Sequence, residues 1–194
     1  MAPYPPQGGG FPESRRVMLF IDGGYLRRKL DDLERGKEWD VGVYVTNIFN
    51  NFSSVFRFEL IRAYYYDAIC EKEKDPELYE QSRKLFDSID QKDNIEVKKG
   101  TLIISQKRKE QKGVDILIAI DMLTKAYNNH YDVAILLCGD RDFIPLIRAV
   151  KDMTGKRMYG VSIEKCPDEL KRQFDKHYEI QRGSGLRNLF GITS

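Results

Sequence analysis

Cysteine and histidine are scarce in this chain of 194 residues, with three of the former and two of the latter. Cys70, Cys138 and Cys166 are an odd number, scattered, with no C-x-x-C spacing. That pattern excludes a disulfide framework or a zinc centre and fits a reducing compartment. His130 and His177 stand away from every motif described below, and no Ser–His–Asp or Cys–His arrangement is visible. No covalent enzyme intermediate is therefore expected. No apolar stretch approaches the roughly 20 residues needed to span a bilayer, and no hydrophobic signal region opens the chain. The expectation is a cytoplasmic protein with no membrane partner. A surplus of either charge is missing too. The formal net charge is +2, so composition alone does not announce a nucleic-acid binder.

What is present is unevenly placed. Basic residues bunch at Arg27-Arg28-Lys29, at Lys98-Lys99, and at Lys107-Arg108-Lys109 followed by Lys112. Two apolar runs, Val17–Ile21 and Val133–Cys138, end in acid: the first enters Asp22-Gly23-Gly24, the second Gly139-Asp140-Arg141-Asp142. Short apolar runs of this kind, bounded by glycine, read as strands buried on both faces, as in a parallel sheet. In open parallel sheets the ligand crevice lies outside the carboxyl ends of the strands. Three carboxylates delivered to that edge repel one another, and a divalent cation is the usual reason such a cluster persists. Basic patches around an acidic pocket suit a polyanion held by metal.

The length suits one well-buried domain. Residues 1–15 are rich in Pro and Gly and read as a flexible tail; a domain over 16–182 follows, then a tail at 183–194. Strands are expected at 17–21, 57–66, 94–104 (one or two, around Gly100), 133–138, 156–162 and 178–180. Helices are expected at 25–34, 41–53, 76–89, 142–153 and 167–175. Pro76 suits a first helical position. The segment 114–127 fits strand or helix locally, but its length and its lack of internal Gly or Pro favour helix. Strands alternating with helices predict an α/β fold, a three-layer α/β/α sandwich with a mainly parallel sheet.

On that helix Asp115 shares a face with Ile118, Ala119 and Met122, the side that packs on the sheet. Near the helix start it can reach the sheet's carboxyl edge, where Asp22, Asp115, Asp140 and Asp142 would converge from three elements. Asp121 points elsewhere and reads as structural, paired with a basic residue. Hard oxygen ligands without His or Cys specify Mg²⁺ or Mn²⁺. An ion so held lowers the pKa of water and stabilises charge growing on a phosphodiester, so in-line attack of activated water on phosphorus is the expected reaction. Asp142 alone is also explained as a helix cap.

Three motifs carry a family likeness: F-I-D-G-G-Y at 20–25, K-G-V-D at 112–115 with the L-I-A-I-D-M-L that follows, and G-D-R-D-F at 139–143 followed by Pro145. In this order and spacing, from about residue 17 to 162, the chain resembles the NYN domain, a member of the PIN-like nuclease group. The resemblance implies a PIN-like sheet with strand order near 3-2-1-4-5 and metal-dependent endoribonuclease activity, with RNA, single-stranded or looped, as partner. Carried over by position, Asp22, Asp115, Asp140 and Asp142 would be the catalytic, metal-binding acids, and Lys112 would lie near the scissile phosphate. Many members carry Asn where Tyr25 stands here. A homodimer is compatible with the resemblance, since PIN-like proteins can pair.

For substrate contact, Tyr25 offers a stacking face for a base and Arg27 or Arg28 a phosphate contact. Arg141, between two acids, either neutralises them or meets a phosphate. The lysine-rich loop 107–112, with Lys109 and Lys112, is the expected clamp on a nucleic-acid backbone. Asp67, after the aromatic strand, is expected to support the site from behind, and Tyr64-Tyr65-Tyr66 to serve as core packing. The main rival keeps the fold and discards catalysis, leaving an RNA-binding or regulatory scaffold. A haloacid-dehalogenase-like phosphatase needs a second Asp two residues after the first, where Gly24 stands. A dinucleotide-binding reading lacks G-x-G-x-x-G after the first strand.

Overall fold

Uninterrupted hydrophobicity in the first strand has a simple cause: both of its faces are covered. In the computed structural model, which describes residues 15–33, 45, 47, 48, 59–105 and 109–180, β1 (Arg16–Asp22) lies in the middle of a seven-stranded sheet. Val17, Leu19 and Ile21 enter one apolar cluster and Met18 and Phe20 the other. Period-two alternation thus divides a continuous apolar run between two cores.

The chain continues through α1 (Gly23–Leu33), β2 (Glu59–Cys70), α2 (Pro76–Asp90), β3 (Ile95–Ile104), β4 (Lys109–Lys112), α3 (Val114–Tyr127) and β5 (Val133–Leu137). A 3₁₀ turn (Arg141–Phe143) precedes α4 (Ile144–Thr154), β6 (Arg157–Ile163), α5 (Asp168–Lys171) and β7 (Lys176–Ile180). The sheet order is β4-β3-β2-β1-β5-β6-β7. Every pairing is parallel except β3 with β4. Numbered among themselves, the parallel strands run 3-2-1-4-5-6, which contains the order the resemblance implies. Residues of α1 and α2 fill the core on one face, and residues of α3, α4 and α5 the core on the other. This is the expected α/β/α sandwich of PIN-like type.

Local chemistry sets the helix ends. Asp75 caps α2 by accepting from the Leu78 N–H at 3.0 Å, with Pro76 in the first turn. Gly155, at φ +66°, ends α4 in the left-handed conformation that glycine adopts without a Cβ penalty. Phe20 stacks with Tyr64 and Tyr66 at 5.5 and 6.5 Å on one face of the sheet, while Tyr65 meets Phe86 at 6.4 Å on the other. The tyrosine run is core packing, as expected.

Two elements differ from the sequence reading. β2 runs past Asp67 to Cys70, so the acid lies inside the strand rather than after it. Lys109–Lys112, read as part of a loop, is a short antiparallel edge strand on β3. The helix expected at 41–53 lies mostly outside the described residues, of which 45, 47 and 48 are helical. The expected tails also lie outside them, Arg15 apart. Among the described residues no helix is long and apolar enough to cross a membrane.

Candidate active site at the carboxyl edge

The central strands β1 and β5 are parallel neighbours, so their carboxyl ends open on the same edge, and both chains then turn away into helices on opposite faces. Such a divergence leaves a crevice. Asp22, Tyr25, Arg28, Gly139, Asp140, Arg141 and Pro167 line a cleft there of about 300 Å³.

Asp22 is the last residue of β1 and is 6% exposed. Its Oδ1 accepts from the Tyr25 N–H at 2.9 Å, capping α1. Burial pushes its carboxyl up to about 6. The Tyr25 hydrogen bond and the Arg28 charge oppose that shift without cancelling it, and Asp115 and Asp67 add to it. Asp140 follows β5 and accepts from the Asp142 N–H at 3.0 Å through Oδ1, so it caps the 3₁₀ turn on which Asp142 rides.

Asp115 sits in the first turn of α3 and is exposed. It does not enter the core with Ile118 and Met122, which are fully buried, because the first turn stands at the rim of the sheet. Its carboxyl is raised by partial loss of solvent and then by the charges of Asp140 and Asp142. The four acids are thus linked electrostatically, with Asp115 sensed by each side of the edge. Asp121, as expected, is engaged elsewhere: it pairs with Lys125 at 3.2 Å and accepts from the Tyr66 hydroxyl at 2.8 Å.

Among the described residues no three His, Cys, Asp or Glu side chains are grouped so as to hold an ion as placed. The donor chemistry nonetheless fits a hard divalent ion. The set is oxygen-only, and Asp22 is a buried carboxylate whose charge is opposed by burial and by neighbouring acids.

The basic and aromatic residues divide into inward and outward groups. Arg28 lines the cleft and is exposed. Arg27 turns away from it: Nε and Nη2 donate to Asp67 at 2.6 and 2.9 Å. Lys112 ends β4 and is exposed, and Lys109 opens that strand. Arg141, 66% exposed by its side chain, has Glu169 as ion partner at 3.8 Å rather than either flanking acid.

Tyr25 is 7% exposed. Its ring fills the space a Gly139 side chain would take, since a Cβ there would lie 2.3 Å from the ring. Its hydroxyl donates to the Ile163 carbonyl at 3.1 Å and accepts from the Ile163 N–H at 2.9 Å. Tyr25 therefore forms the cleft floor and ties α1 to the end of β6. Tyr25→Phe keeps the ring but orphans a buried N–H; the expected cost is about 1–3 kcal/mol in urea unfolding. An unchanged midpoint would contradict that bridge.

Two participants escape sequence reasoning. Pro167, from the turn after β6, supplies one lip of the cleft. Gln111, in β4, donates to Asp67 at 3.0 Å. The one available signal was Asp67 itself, an acid within an apolar strand that demands partners, but nothing local identifies them.

A mainly parallel α/β sandwich with acids gathered along the carboxyl edge of its central strands is the architecture of a PIN-like nuclease fold. Residues 16–181 match the NYN domain, and the chain belongs to that family, whose domains are typically nucleases. Among solved structures it is similar to a protein of unknown function from Vibrio parahaemolyticus, with a TM-score of 0.61 and 15% identity, covering 91% of this chain and 98% of that one. At that identity the likeness shows the fold alone. No curated protein matches the chain.

Proposed function

We propose that the protein is a metal-dependent endoribonuclease that hydrolyses RNA phosphodiester bonds at the edge carrying Asp22, Asp115, Asp140 and Asp142. The observation that carries this reading is a buried Asp22 at the end of the central strand, lining one cleft with Asp140, with its charge opposed by burial and by Asp115 and Asp67. Asp22 and Asp140 would hold Mg²⁺ or Mn²⁺ from the cleft, and Asp115 and Asp142 from its rim. When bound, such an ion activates water and stabilises charge on the phosphodiester.

The remaining chemistry belongs to the chain. Arg28 and Arg141 stand on the two sides of the cleft and draw the phosphate in, offsetting the repulsion that four acids exert on a polyanion. Lys112, exposed at the end of β4, would meet the RNA backbone. Tyr25, buried and lining the cleft, holds Asp22 through its backbone N–H. The small cleft supports a single strand or loop as substrate, because an unstacked strand can thread where a duplex would be held off.

The test is purified protein with labelled single-stranded RNA, with and without Mn²⁺, beside an Asp140→Asn variant. The reading expects cutting only with the ion, and a variant that retains binding and loses cutting. RNA that is bound and never cut with Mn²⁺ would instead make the protein a scaffold of the same fold.

A further inference from the structure

Asp67 is fully buried and collects donors from its own strand and from two other segments of the chain. Arg27 of α1 donates to it twice, the Tyr65 hydroxyl at 3.0 Å, the Ala68 N–H at 2.7 Å, and the Gln111 Nε2 of edge strand β4 at 3.0 Å. The cluster sits directly behind the proposed active site: Asp22 pairs with Tyr66 across β1 and β2, and Asp67 is the next residue. Two glycines make room for it. A Cβ at Gly23 would lie 2.4 Å from Tyr65, and one at Gly24 would lie 2.6 Å from the Gln111 amide. The Asp22-Gly23-Gly24 sequence thus does more than turn the chain, because it lets Tyr65 and Gln111 close over the start of α1.

β4 is only four residues long and antiparallel at the sheet edge. It ends at Lys112, passes through Gly113 at φ +83°, and enters α3, whose second residue is Asp115. The seat of β4 therefore sets where Lys112 and Asp115 stand. Backbone pairing with β3 fixes its register, while the Gln111 amide ties it to Asp67 of β2 and lies against Gly24 of α1.

Resting on the nuclease reading above, we propose that Gln111 is a positioning residue of this site: its hydrogen bond to Asp67 couples edge strand β4, and through it Asp115 and Lys112, to the β1 end that carries Asp22. Gln111 touches neither ion nor substrate in this role. It holds the two halves of the acid edge in one arrangement.

The test compares wild type with Gln111→Met, which keeps the length and removes the donor, and Gln111→Lys, which restores a donor toward Asp67. Amide hydrogen exchange is followed over residues 109–117, with β5, β6 and β7 as internal reference, alongside calorimetric titration with Mn²⁺. In Gln111→Met, exchange over 109–117 should quicken and Mn²⁺ affinity should fall, each about ten-fold, the scale set by losing one hydrogen bond to a charged carboxylate. The reference strands should not move, and Gln111→Lys should return both readouts toward wild type. Exchange that is unchanged, or that quickens equally in the reference strands, overturns the proposal. A wild type that neither binds Mn²⁺ nor cuts RNA overturns the nuclease reading instead, and exchange over 109–117 still decides whether Gln111 ties down β4.

Discussion

Asp22→Asn should slow RNA cleavage by about 10²–10³-fold while making the metal-free protein more stable above pH 6. The two effects have one origin. Asn keeps an oxygen that accepts from the Tyr25 N–H, so the cap on α1 survives. It removes a charge that is 6% exposed and pressed by neighbouring acids. Loss of a metal ligand forfeits several kcal/mol of transition-state stabilisation, or about 10²–10³-fold in rate. The stability effect follows from linkage. A carboxyl raised from 3.8 to about 6 in the folded state contributes stability that is fully present below the unfolded value and is lost as pH rises through 6. The native carboxylate is thus a burden at neutral pH, on the order of 1–3 kcal/mol, and Asn lifts it. Urea unfolding in chelator at pH 5 and pH 7.5 checks the sign: the variant's advantage should grow with pH. A variant less stable than wild type at pH 7.5 would make Asp22 a structural acid.

The second large effect is expected at Asp67, with the opposite character. Asp67→Ala leaves the Arg27 guanidinium half-buried without its carboxylate and strips acceptors from Tyr65 and Gln111. Removing one member of a buried pair costs about 3–5 kcal/mol. The double variant Asp67→Leu, Arg27→Met should regain much of that, because it leaves no uncompensated charge. Urea unfolding of the two proteins distinguishes this from simple cavity formation, in which the second substitution would bring nothing back. The same cluster explains why Arg28 rather than Arg27 faces the cleft.

The parts of the fold that depend on periodicity were legible. Val17–Ile21 and Val133–Leu137 are strands because burial on both faces requires apolar residues at every position, and glycine and acid mark their ends. Asp75 with Pro76, and Gly155, mark helix limits by chemistry that acts within one turn. What was not legible depends on partners remote in the chain. Asp67 looked like a strand terminator because its partners Arg27 and Gln111 are 40 and 44 residues away. Tyr25 looked like a free ring because the Ile163 backbone that engages its hydroxyl is 138 residues away. Lys109–Lys112 carries no apolar alternation, since an edge strand is held by backbone pairing and its side chains can stay polar. Helical spacing puts Asp115 on a buried face, and spacing does not tell whether a residue in a helix's first turn reaches past the sheet, as exposed Asp115 does.

Calorimetric titration of the metal-free protein with Mn²⁺ tests the central claim most directly, with wild type set beside Asp22→Asn and Asp140→Asn. The account predicts saturable binding by wild type that is weakened at least about ten-fold in each variant, as loss of one charged oxygen ligand implies. Equal binding by all three proteins, or none by wild type, would contradict a metal centre on these aspartates.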